Sequence, residues 1–199
     1  HVMQEEPITL VEYDPSWPQR FEAERKALEG VLRPWLAGPI EHIGSTAIPG
    51  MVAKPVIDIM AAVSELESSV PAREAVRAFG YMYFPYRPDA MHWFCKPSPY
   101  HRTHHLHLVP IGSPLWSERL RFRDYLRVNP ASAAEYALLK RELAARYRLD
   151  RDDGQRGRRT TVCLTGVVAL TRGRVGIVTP MVSRARIPRR RLGHPLEWS

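Results

Sequence analysis

The hydrophobic pattern changes period several times along the chain. From Ile8 to Tyr13 apolar and polar residues alternate, and the run breaks at Asp14-Pro15, which predicts a short strand and a turn. Trp17, Phe21, Leu28, Val31 and Leu32 then recur at near-helical spacing among Glu22, Glu24, Arg25 and Lys26, so a helix follows with Ser16 as its N-cap. "PIEHIGS" and "KPVIDIMAAV" read as strands, the second almost continuously apolar from Val56 to Val63, as in a central strand covered on both faces. Residues 68–79 carry a weak helical pattern stopped by Gly80. "YMYF", "MHWFCK" and "HHLHLVP" are aromatic-rich or alternating runs that predict further strands, with Pro85, Pro88, Pro97 and Pro99 at the turns between them.

After Pro110 the period becomes helical. Ser113 or Ser117 caps a helix carrying Leu115, Trp116, Leu120, Tyr125 and Leu126, and Asn129-Pro130 interrupts it. Pro130 opens another helix, whose predicted apolar stripe is Ala134, Leu138, Leu139, Leu143 and Tyr147 beside Lys140, Arg141 and Glu142. Together these elements predict an α+β domain over residues 8–147, a mixed or mostly antiparallel sheet with helices packed on it.

Residues 148–199 lose the pattern. "TTVCLTGVVAL" fits a strand or a short buried helix, but the Arg, Gly and Pro around it specify no periodic element. The segment reads as a disordered or weakly docked extension. A basic arm for nucleic acid is the functional alternative. Arginine replaces lysine so completely from Arg148 onward that a shifted reading frame is a third reading.

Charge sharpens this division. The net charge of +8 suggests phosphate-rich partners, yet much of the excess belongs to the tail. Cys95 and Cys163 lie far apart without metal spacing, which excludes a disulfide framework or a zinc ribbon and points to a reducing cytoplasm. No apolar run nears the roughly 20 residues that cross a bilayer, and the amino-terminal stretch lacks a signal-peptide pattern, so a soluble, unexported protein without membrane partners is expected. Oligomeric state is not legible.

The candidate chemistry centres on "HIGSTAIPGMVAKPVIDIM", residues 42–60. Gly44 has no Cβ and lets backbone approach a phosphate, Ser45 can donate to its oxygens, and Gly50 and Lys54 add a flexible point and a cation. Asp58 lies in an apolar strand, where an unpaired charge is expensive, so it needs a partner. His105 and His107 in "HHLHL" share one strand face, and with Asp58 and His42 they form a candidate metal site or acid/base cluster, although such histidines are more often structural. Arg123 and Arg127 stand at i, i+4 and, with Lys140, form a candidate phosphate clamp opposite Gly44 and Ser45. The bland alternative pairs these arginines with Glu118 and Asp124 on a solvated face. A Ser45, His105, Asp58 hydrolase lacks the Gly-x-Ser-x-Gly elbow. Trp17, Trp35, Tyr81, Tyr83, Trp93, Phe94 and Trp116 read mostly as core, so nucleic-acid binding rests on charge alone.

"IGS" followed by "IDIM" resembles the signature of nucleotidyltransferases of the polymerase beta type. More closely, "EHIGSTAIPGMVAKPVIDI", "HHLHLV", "FRDYLRVNP" and "YALLKRELA" resemble the GrpB family, nucleotidyltransferase-like bacterial domains, over about residues 8–147. The resemblance implies a nucleotide or phosphorylated small molecule as ligand, a divalent metal (Mg²⁺, Mn²⁺ or Zn²⁺) as cofactor and, if the chain is an enzyme, transfer of a nucleoside monophosphate to an acceptor. Met60 stands where active nucleotidyltransferases carry a second metal-binding carboxylate. The rival expectation is therefore a non-catalytic accessory module, which the occurrence of such domains fused to dephospho-CoA kinases would link to coenzyme A metabolism.

Overall fold

The computed structural model describes residues 9–98, 100–152, 168–171 and 174–177, with side chains described as far as residue 145. The chain runs α1 (Trp17–Leu32), β1 (Leu36–Ile43), a 3-10 turn (Ser45–Ala47), β2 (Ile57–Val63), α2 (Ala72–Arg77), β3 (Met82–Phe84), β4 (His92–Pro97), β5 (Arg102–Pro110), α3 (Pro114–Val128) and α4 (Pro130–Asp152). Two further strands, β6 (Val168–Thr171) and β7 (Arg174–Ile177), pair with each other as an antiparallel hairpin. Apart from that hairpin and the end of α4, the expectations for residues 148–199 lie outside the described residues.

The first five strands form one sheet in the order β1-β2-β5-β4-β3. Only β2 and β5 pair in parallel; the other neighbours are antiparallel, so the sheet is mixed and the α+β expectation holds. Central β2 is buried along most of its length, as its unbroken apolar run predicts. Edge strand β1 begins at Leu36 and carries Pro39 beside a register irregularity between Leu36 and Ile40. A proline has no N–H for a ladder, and an edge strand with a bulge tolerates it.

Each face of the sheet packs its own core. On one, Trp17, Leu28 and Leu32 of α1 and Ala72 and Val76 of α2 cover Ile57, Ile59, Ala61, Phe94, Leu106 and Leu108. On the other, Leu115 and Trp116 of α3 meet Ile43, Met60, Ala62 and Val109. A third cluster joins Leu126 of α3 and Tyr136 of α4 to Ile48 and Met51, closing the helix pair over the loop before β2.

Four local differences from the sequence pattern have physical causes. Of the predicted Ile8–Tyr13 strand, the described residues 9–13 form a single bridge, Val11 to Ala53, closed by hydrogen bonds in both directions at 2.9 and 3.0 Å. Ser16 occupies the α1 N-cap without accepting a capping bond; Asp14 Oδ1 instead accepts from the Ser16 N–H at 2.8 Å, an Asx turn. Ser113, not Ser117, caps α3, accepting from the Trp116 N–H at 3.2 Å. On α4 the face turned inward carries Ala133, Tyr136, Ala137 and Lys140, whereas Ala134 and Leu138 are exposed, Leu138 by 59%. Here a buried lysine sits within the inward stripe.

Phe94 is fully buried at the centre of the α1 face. Phe94→Ala is expected to lower unfolding free energy by about 3–5 kcal/mol in urea denaturation, while Leu138→Ala changes it by no more than about 0.5 kcal/mol.

Candidate metal centre and the Gly44 turn

The parallel β2–β5 pairing assembles the cluster. It sets Asp58 opposite His105 and Met60 opposite His107, so both imidazoles and the carboxylate project from the same face, the α3 side. Asp58 Oδ1 lies 2.9 Å from His105 Nδ1 and 3.6 Å from His107 Nε2. One ligand atom from each of the three residues falls within 4.8 Å of the others. Burial alone would raise the Asp58 pKa, but the hydrogen bond with the His105 imidazole, with His107 close by, holds the carboxylate well below the usual range, so it is ionised.

His107 is neutral at pH 7. Burial, then the nearby Arg119 charge, push its pKa down to about 4 despite Asp58. Its Nδ1 faces Met91 Sδ at 3.4 Å, and its Nε2 is buried without a hydrogen-bond partner, as is the Nε2 of His105. If the ring proton sits on Nδ1 and points at sulfur, Nε2 presents a lone pair toward an ionised carboxylate. That juxtaposition suits an intervening cation. Ligand atoms on a tetrahedral zinc stand roughly 3.3 Å apart, given metal–ligand lengths near 2.0 Å, and the distances of 2.9 and 3.6 Å bracket that spacing. The donor set fits a divalent metal of the Mn²⁺ or Zn²⁺ kind better than Mg²⁺, which prefers oxygen ligands. Trp93 flanks the cluster, its ring centroid 5.0 Å from that of His105.

Gly44 presses its backbone against the same carboxylate. At φ 73° and ψ −172° it holds a conformation essentially confined to glycine, and a Cβ there would lie 2.5 Å from Asp58 Oδ2. The chain then winds through Ser45–Ala47. Three cations from the helix pair brace this turn. Lys140 Nζ donates to Ser45 Oγ and to the Val52 carbonyl, each at 2.7 Å. Arg127 Nε donates to the Ala47 carbonyl at 2.9 Å. Arg123 Nη1 donates to the His42 carbonyl at 2.9 Å and to Glu41 at 2.6 Å, while its Nε engages Asp124 at 2.7 Å. Burial pushes the Lys140 pKa down to about 8, with the Asp58 charge opposing the shift.

The sequence-derived candidates thus divide. Asp58, His105 and His107 meet, and Gly44 touches Asp58. Arg123, Arg127 and Lys140 reach the turn, but by holding its backbone and the Ser45 hydroxyl. Lys54 is exposed in the loop before β2. His42 stands apart from the cluster: its register partner is Ile59, which places it on the α1 face, stacked on Phe21 at 4.7 Å with Nε2 3.0 Å from Thr46 Oγ1. Alternation along a strand puts neighbours 42 and 43 on opposite faces, and Ile43 takes the Asp58 side. Sequence reading left out Met91 and Arg119 and took Trp93 as core. Of these only Arg119 left a signal, four residues before Arg123 on the same helix face.

The family model described as GrpB protein matches residues 7–163. A Bacillus subtilis protein, YqkA, is 36% identical over 147 residues, covering 74% of this chain and 43% of its own length. The chain therefore spans less than half of that relative. A dephospho-CoA kinase of Mycolicibacterium paratuberculosis is 31% identical over 176 residues, covering 73% of this chain and 41% of the kinase. Among solved structures, the GrpB protein of Enterococcus faecalis superposes with a TM-score of 0.65 at 35% identity, covering 70% of this chain and 85% of that one. The sheet order, the Gly44 turn and the carboxylate–histidine cluster thus sit inside the matched region, and the chain belongs to the GrpB family.

Proposed function

We propose that Asp58, His105 and His107 hold one divalent cation, through which the protein binds the phosphates of a nucleotide or another phosphorylated small molecule. The observation that carries this reading is the convergence of an ionised carboxylate and two imidazoles within 4.8 Å, with the His107 Nε2 that faces Asp58 buried and, among the described residues, lacking a hydrogen-bond partner. A cation bound there would neutralise phosphate charge and polarise a P–O bond. Asp58 supplies the negative charge, and neutral His107 supplies a lone pair at no cost of deprotonation. Gly44 keeps the ligand side of the cluster free of a Cβ, and half-exposed Ser45, with Lys54, offers donors to phosphate oxygens. Arg123, Arg127 and Lys140 keep the turn in register with Asp58.

Transfer of a nucleoside monophosphate is the enzymatic form of this reading, in keeping with the nucleotidyltransferase-like motif. A binding module without transfer is favoured by one observation, the apolar Met60 in place of a second carboxylate, and the likeness to a dephospho-CoA kinase would place such a module beside coenzyme A chemistry. Either form suits the cytoplasm. Among the described residues no helix is long and apolar enough to cross a membrane.

Calorimetric titration with Mg²⁺, Mn²⁺ and Zn²⁺, with and without ATP and CTP, tests the proposal. One Mn²⁺ or Zn²⁺ per chain is expected, with nucleotide affinity rising when the metal is present and both signals lost in Asp58→Asn. Absence of metal binding by the parent protein overturns it. Gly44→Ala is expected to displace the Asp58 carboxylate, weakening metal binding and lowering stability by about 1–3 kcal/mol.

Two of the buried imidazoles, His42 and His107, predict a pH effect. His42 and His107 each have a pKa near 4 in the folded chain, His42 through burial and then the charges of Arg127 and Arg123, against 6.5 when unfolded. Between these values the unfolded state binds more protons, so their contribution to stability is present above pH 6.5 and is lost as pH falls toward 4. Urea denaturation across this window should show the decline, and His42→Gln should make it shallower.

A further inference from the structure

Lys140 has a role that phosphate binding does not absorb. Its Nζ is enclosed, with the residue 5% exposed, and it points inward at the Ser45 hydroxyl rather than out at a ligand. Among the described residues no carboxylate lies within ion-pair distance of Nζ; its contacts are Ser45 Oγ, the Val52 carbonyl and the Tyr136 ring, 5.5 Å away. Burying an ammonium without an anionic partner is costly, so the amine gives up its proton more readily than a surface lysine. As an ammonium Lys140 donates across both contacts, and the same placement serves the neutral form once the proton is lost. An amine has two N–H donors and a lone pair: one donor satisfies Val52, and the lone pair can accept the Ser45 O–H across the 2.7 Å contact.

Ser45 has the complementary features of a nucleophile. It is half-exposed and follows Gly44, whose glycine-only backbone throws the chain into a sharp turn at the end of a strand. Its hydroxyl is held by a fixed base from an element 95 residues away. We propose that Ser45 and Lys140 form a serine–lysine nucleophile pair that takes up an acyl group from a small activated ester.

The step balances within the pair. Ser45 Oγ attacks the carbonyl carbon while its proton passes to the Lys140 amine, giving a tetrahedral adduct and an ammonium. Collapse breaks the bond between carbon and the leaving oxygen, the leaving group departs as the alcohol or phenolate, and the ammonium returns its proton to that group or to solvent. Water, losing a proton to the same amine, then attacks the acyl carbon; the bond from carbon to Ser45 Oγ breaks, the ammonium returns its proton to Oγ, and the acid is released. No divalent ion takes part, so this activity stands apart from the proposed metal site. The charged group acting on Lys140 is Asp58 of β2, which opposes loss of the proton; Tyr136, one turn earlier on α4, presents its ring face.

The test uses the full chain in EDTA with p-nitrophenyl acetate and, in a parallel arm, a fluorophosphonate, reading the adduct by intact mass and peptide mapping. The expected result is one adduct on Ser45, formed at a rate that rises with pH and levels above about 8, where the buried amine is neutral. Ser45→Ala should abolish that adduct. Lys140→Arg keeps a cation and a donor but cannot act as the base, and should slow labelling by about a hundredfold. Lys140→Met provides a second variant lacking the base, and urea unfolding of both establishes that the folded state is compared. No adduct on Ser45, a rate unchanged by a folded Lys140 variant, or a rate flat between pH 6 and 9 overturns the pair. Because labelling is done without metal, its failure leaves the metal titration standing, and failure of the titration leaves the label standing.

Discussion

The structure turns on one half-buried carboxylate. Asp58 lies in the middle of a sheet whose central strand is otherwise apolar, and the cost of placing an anion there is offset by imidazoles from the one strand that pairs with β2 in parallel. A pairing slipped by one residue would turn His105 and His107 to the opposite face and leave the charge without partners. The parallel register is therefore tied to the chemistry of a single residue, and the crossover through α2, β3 and β4 returns β5 to the place where that residue needs it.

The two faces of the sheet carry different tasks. The α1 side is a hydrophobic seal in which even His42 is neutral and stacked on Phe21. The α3 and α4 side is polar at one end, because cations from both helices terminate on backbone carbonyls in and around the Gly44 turn, at His42, Ala47 and Val52. Carbonyls left unpaired by a tight turn attract such donors, and the turn gains a fixed shape that neither the glycine nor the 3-10 winding would hold alone.

Much of this was legible in the sequence, and the failures are informative. Strand periodicity identified β2, β4 and β5, and the i, i+2 spacing correctly put His105 and His107 on a common face. His42 was misplaced because its strand neighbours gave no parity until the register with Ile59 was known. On α4 the apolar positions predicted the wrong stripe: the inward face includes Lys140, whose burial is compensated by acceptors on a loop distant in sequence. Local periodicity records side-chain polarity, and it cannot record a hydrogen bond to residue 45. For Arg123 the structure shows the Asp124 pairing that the sequence offered as the alternative, and adds Glu41 and the His42 carbonyl, partners from a strand distant in sequence.

The long reach of Lys140 bears on the order in which the molecule is made. During synthesis the cluster of Asp58, His105 and His107 can close once β5 has left the ribosome, but the loop beside it receives its buried amine only after most of α4 has followed. A nascent chain stopped short of residue 140 would hold the ligands without the brace, and the Gly44 segment would be free to wander from the carboxylate. The brace on the Gly44 segment thus comes from α4, a helix that follows every strand of the five-stranded sheet.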